Sequence, residues 1–98
     1  MTRDTTSPKK SINRAYVLIE AEADKANEIA DVLRRRFRIG RVDVVDGPYA
    51  VIAVVEDYYI AAMAKTIAVD IRALGGVRDI IVYMARRKEG LATGTSAI

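Results

Sequence analysis

Residues 42–57 read VDVVDGPYAVIAVVED. Two runs rich in strand-forming residues flank Asp46-Gly47-Pro48-Tyr49, a segment with three residues of turn chemistry in a row. So short a connection makes Val42–Asp46 and Ala50–Val55 an antiparallel hairpin. The second of these strands is apolar without a break, and so is Ile80–Ala85. Such strands are suited to burial on both faces. Working outward, a strand over Ala15–Ala21 and a helix over Asp24–Phe37 precede the hairpin. A helix over Tyr58–Leu74 and a strand over Val77–Ala85 follow it. Two strand–helix–strand units joined by a hairpin make an α+β, ferredoxin-like βαββαβ domain with a four-stranded antiparallel sheet. Two helices in one layer cover one face of that sheet. An apolar second face left wet requires a partner, so the expected assembly is a dimer or larger, with sheet packed on sheet.

The helices are read from their spacing. Ala26, Ile29, Ala30, Leu33 and Phe37 form one apolar stripe, with Asp24 as N-cap and Gly40 as terminator. Ile60, Met63, Ala64, Ile67, Ile71 and Leu74 form the second stripe, with Asp57 as cap and Gly75-Gly76 as the stop. The strands leave one matter open. The outward face carries Tyr16, Leu18, Ile52, Val54, Ile81 and Tyr83, or else the opposite alternation, because both sets are apolar.

Composition narrows the chemistry. The chain has 98 residues, enough for one domain, with residues 1–14 expected as a flexible basic arm, 15–85 as the domain and 86–98 as a flexible tail. It contains neither cysteine nor histidine. Disulfides, thiol chemistry, an imidazole base and the usual zinc sites are therefore excluded. No signal-peptide core and no bilayer-length apolar run are present, so a cytoplasmic location without membrane attachment is expected. The net charge is +3, with +3 in residues 1–14 and +2 in residues 86–98, which leaves −2 for residues 15–85. The basicity belongs to the tails, which argues against a nucleic-acid-binding face on the domain.

Three groups of residues merit weighing. Arg34, Arg35, Arg36, Arg38 and Arg41 suit a phosphate contact, but Asp31, Asp43 and Asp46 lie beside them. A solvated helix end is the favoured reading. Glu20 with Glu22, and Glu56 with Asp57, are conceivable acid–base pairs, but closing strands and capping a helix account for them. No nucleophile elbow, phosphate loop or metal-ligand spacing occurs, so no catalytic residue, cofactor or metal is assigned. The turn at Gly47, Pro48, Tyr49 and Ala50 sets backbone N–H groups beside an aromatic ring and suits a small anionic ligand.

The opening Ala15-Tyr16-Val17-Leu18-Ile19-Glu20, the Gly47-Pro48-Tyr49 turn with its apolar strand, and Val54-Val55-Glu56-Asp57 leading to Gly75-Gly76-Val77 carry a resemblance. In this order and spacing they resemble the ligand-binding (RAM) domain of the leucine-responsive/asparagine-regulator (Lrp/AsnC) family. The resemblance implies a dimeric α/β barrel, assembly into rings of dimers, and a small effector such as an amino acid bound near the glycine–tyrosine turn. It implies ligand contacts at Gly47, Pro48, Tyr49 and Ala50, with Ile80 and Val82 where the family carries threonines on its last strand. Position 50 is alanine where the family usually has aspartate, and Asp46 and Asp79 are the acids considered as substitutes. Fourteen residues before the first strand are too few for the family's helix-turn-helix domain. The resemblance is therefore to stand-alone members, which do not read DNA directly and act on a full-length regulator by mixed assembly. The expected function is non-enzymatic effector binding and oligomerisation. The rival readings are a small dimeric α/β-barrel enzyme, such as a cofactor-free monooxygenase or isomerase, and a purely structural assembly domain.

Overall fold

The computed structural model describes residues 11–86. Of the arm and tail expected at residues 1–14 and 86–98, residues 1–10 and 87–98 lie outside the described residues, while Asn13 and Arg14 belong to the first strand. The elements run β1 (Asn13–Ala21), α1 (Ala26–Arg34), β2 (Ile39–Val44), β3 (Val51–Asp57), α2 (Ile60–Lys65) with a π-helical continuation (Thr66–Arg72), and β4 (Val77–Met84). The strands form one antiparallel sheet in the order β2-β3-β1-β4, which is the βαββαβ ferredoxin-like arrangement.

Alternation along the strands sorts the sheet into two faces. Ala15, Val17 and Ile19 of β1, Val51, Ala53 and Val55 of β3, and Ile80 of β4 are buried beneath the helices. Ile29, Ala30, Leu33, Met63 and Ile71 meet them from the helical layer. Each core strand thus contributes every second side chain to one interior. The pairs Tyr16↔Val54, Leu18↔Ile52, Tyr16↔Tyr83 and Leu18↔Ile81 place the other set on the helix-free face. The first of the two alternations is the one adopted.

The first helix is shorter than its apolar spacing suggests. Asp24 adopts a left-handed conformation, φ 63°, inside a turn in which Lys25 N–H donates to Glu22 O at 3.0 Å. Lys25 takes the N-cap position without a side-chain capping bond, so Asp24 is not the cap. Aspartate tolerates this conformation better than most residues. At the far end Arg35 N–H and Arg36 N–H donate to Val32 O and Leu33 O, tightening the last turn and ending the helix at Arg34. Phe37 therefore leaves the stripe and is 88% exposed, with the Arg38 guanidinium 5.1 Å from its ring centroid. Ile39 is buried in its stead. Gly40 lies within β2 and terminates nothing.

The second helix changes its winding. The expected α-helix over 58–74 begins at Ile60 and passes into π-helical bonding at Thr66. Hydrogen bonds that reach one residue further rotate the buried face relative to a 3.6-residue period. Met63, Thr66 and Ile71 are buried, with Ile67 and Leu74 packed against the core, while Ile60 and Ala64 are exposed. Asp57 still performs a capping task, since its Oδ1 accepts from Tyr59 N–H at 3.0 Å, although Tyr59 holds the N-cap position. After the helix Gly76 has φ 95° and its carbonyl accepts from Glu22 N–H at 2.8 Å, tying the start of β4 to the end of β1.

Candidate functional site

The β2–β3 connection brings the turn residues to one end of the sheet. Gly47 has φ 148°, a backbone state in which other residues are strained, and Pro48 fixes the following φ. Val45 N–H donates to Ala50 O at 2.8 Å and closes the loop. Tyr49 is thereby held half-buried over the end of β1. Its hydroxyl donates to Asp79 Oδ2 on β4 at 2.8 Å. Because β1 lies between β3 and β4, this bond crosses a strand, and Glu20 of β1, paired with Asp79 in the ladder, sits beneath it. The hydrogen bond to Asp79 raises the Tyr49 pKa above 10.0, with burial and the charge of Asp79 adding to it and smaller contributions from Glu20 and Tyr83. A carboxylate that accepts the phenol proton disfavours its loss.

The structure thus joins Gly47, Pro48, Tyr49 and Ala50 with Asp79. Asp79 is one of the two acids that the sequence offers in place of the family's aspartate, and its contact with Tyr49, 30 residues away, has no local signal. Ile80 and Val82 have the opposite parity. Ile80 faces the helices and is 7% exposed, and Val82 is on the same side near the β4 edge of the sheet, more open to solvent.

At the other end of the helix-free face, Arg14, Tyr16, Gly40, Arg41, Val54 and Glu56 line a concavity of about 380 Å³. Arg14 Nε donates to Glu56 Oε2 at 2.6 Å across the β1–β3 ladder, and this bond raises the Arg14 pKa. The arginines named from the sequence are mostly engaged locally. Arg34 pairs with Asp31 at 3.2 Å and donates to Val42 O, Arg41 pairs with Asp43 at 3.0 Å, and Arg38 pairs with Asp57 at 3.4 Å. This favours the solvated-helix-end reading over a phosphate site. Glu56 and Asp57 point to opposite faces of β3 and have separate partners, so they form no acid–base pair. No group of three acidic side chains that could hold a metal occurs among the described residues. No helix among them is long and apolar enough to cross a membrane.

No protein-family model and no curated protein matches the chain. Solved structures do. FFRP-DM1 is 23% identical and aligns over 76% of this chain and 99% of its own, with a TM-score of 0.72. AsnC of E. coli is 14% identical over 89% of this chain and 60% of its own, with a TM-score of 0.69. The transcriptional regulator NMB0573 of Neisseria meningitidis, solved as an L-Met complex, is 14% identical over 78% of this chain and 51% of its own, at 0.68. At these identities the likeness establishes the fold: this chain has the ferredoxin-like βαββαβ fold that these proteins share.

Proposed function

We propose that this chain is an effector-binding and assembly module of the Lrp/AsnC type, without catalytic activity and acting in the cytoplasm. The observation that carries the reading is the helix-free face. Leu18, Ile52, Val54 and Ile81 form its apolar centre, flanked by Tyr16 at 38% and Tyr83 at 59% exposure. A sheet face of this kind is stabilised by burial against a second apolar face. A second copy supplies one, giving the dimeric α/β barrel, and rings of dimers bring further copies to the glycine–tyrosine turn. There Gly47, Pro48, Tyr49 and Ala50 contact a small effector, an amino acid or close relative. Mixed assembly with a full-length regulator would pass the signal on. The AsnC and NMB0573 likenesses, and the L-Met bound to the latter, support this class of effector. The domain is taken as residues 15–85, with basic segments on either side that do not read DNA sequence.

Light scattering with and without a panel of amino acids tests the reading. A dimer or larger mass that changes with one amino acid is expected. A monomer throughout would refute assembly. A constant dimer with no thermal shift would refute sensing and leave a structural domain. An effector at about 100 times its Kd adds about 2.7 kcal/mol of stability, a readily measured shift.

A further inference from the structure

The first helix and its flanks carry opposite charge at their two ends. Over residues 22–28 Glu22, Asp24 and Glu28 stand against Lys25, a net −2, and over residues 31–38 Asp31 stands against Arg34, Arg35, Arg36 and Arg38, a net +3. Arg35 and Arg36 are exposed and make no ion pair among the described residues. Just past this basic end Phe37 is 88% exposed, with the Arg38 guanidinium over its ring and Arg38 in turn tied to Asp57. A lone exposed apolar residue is ordinary, but this one has a complement on the same helix. At the acidic end Ile29, Val32, Leu74 and Gly75, with the exposed Glu28, line a concavity of about 310 Å³ between α1 and the end of the second helix. A cavity of about 150 Å³ holds a benzene ring, so this space admits a phenyl side chain.

We propose that α1 is a second self-association surface, through which two copies pair antiparallel about a two-fold axis near Val32, each seating its Phe37 in the other's concavity. In such a pair a residue four positions before Val32 meets one four positions after it, so Glu28 of each copy faces Arg36 of the other. Ile29 and Phe37 are centred on Leu33, one residue away, so the same axis brings the ring to the concavity. The half-buried Val32 side chains meet at the axis. Opposite charges then face each other at both ends, whereas a parallel pair would set like against like. A second copy is the partner that fits, because ring and concavity lie on one segment with complementary charge. The contact is smaller than the about 1,000 Å² of a stable interface, so it is transient in dilute solution and gains strength between copies already joined. It lies on the opposite side of the sheet from the helix-free face and does not depend on that face's dimer. With both contacts in place, pairs are linked into larger assemblies.

Magnetic resonance of the intact chain carrying Ile81→Lys, which disrupts the sheet face, isolates this contact. The amide signals of Glu28, Val32 and Gly75 are expected to move as protein concentration rises, and to move less at high salt, which screens exposed charges. Phe37→Ala, at an exposed position, should abolish the movement. Glu28→Arg and Arg36→Glu should each weaken association at least about tenfold, because like charges then meet at both ends. An equal mixture of those two variants should regain it, since one is cationic at both positions and the other anionic at both. No concentration dependence at these amides, movement undiminished in Phe37→Ala, or no recovery in the mixture would each overturn the proposal, the first by leaving the ring for a partner of another sequence.

Discussion

The Tyr49 hydroxyl donates to Asp79 Oδ2 at 2.8 Å across the end of β1, linking the β2–β3 turn to β4 at the far edge of the sheet. Both groups are solvent-accessible, so the bond contributes more to the position of the ring than to global stability. It places an acid beside the turn even though position 50 is alanine.

The bond has a pH signature. The folded-state pKa of Tyr49 is raised above 10.0, so the neutral phenol is favoured by folding. The contribution is complete below the unfolded pKa and is lost as pH rises through the higher folded value. Ultraviolet titration of the five tyrosines should show one component above 10.0 that is missing in Tyr49→Phe and moves back toward 10.0 in Asp79→Asn. An unmoved titration in Asp79→Asn would contradict the assigned cause.

Arg38 offsets the charge of a carboxylate that is 2% exposed. Arg38→Met should destabilise the fold by about 1–3 kcal/mol by leaving Asp57 less compensated. The double variant Arg38→Met/Asp57→Asn should be more stable than the sum of its single changes predicts. Urea midpoints for the four proteins check this, and strict additivity would show that the ion pair carries no coupling.

Leu33 is fully buried and Phe37 is 88% exposed, although the helical spacing places both on one stripe. Leu33→Ala should cost about 2–5 kcal/mol. Phe37→Ala should change stability by no more than about 0.5 kcal/mol. Equal costs in thermal unfolding would argue that Phe37 is covered in the assembled protein.

Leu18 and Ile81 are paired neighbours at the apolar centre of the helix-free face. Ile81→Lys should convert the proposed dimer to a monomer with unchanged far-ultraviolet circular dichroism, since the side chain is outside the helix-facing core. A lysine-bearing dimer of full stability would place the interface elsewhere.

The two glycines at strand starts differ in kind. Gly76 has φ 95°, and an added Cβ would lie 3.3 Å from Lys25 Cβ and 3.4 Å from Ile29 Cδ1. Gly76→Ala should destabilise by more than about 1 kcal/mol. Gly40 has free space around it and no positive φ, so Gly40→Ala should be neutral or stabilise by up to about 1 kcal/mol. Chemical denaturation of both variants separates the two cases.

The order of elements, the hairpin at Gly47-Pro48, the excess of apolar strand surface over what two helices cover, and the exclusion of cysteine and histidine chemistry are all legible in the amino-acid sequence. These follow from local turn preference, periodicity and composition, all of which act over a few residues. Packing against α1 and α2 settled which alternation faces the helices, because Val17 and Leu18 are equally apolar. It also decided the π-helical winding that buries Thr66 in place of Ala64, and the early end of α1 that expels Phe37. Tyr49–Asp79 and Arg38–Asp57 belong to the same class. Each joins residues far apart in the chain whose proximity is created by strand order and register, and no pattern within a short window encodes such a distance.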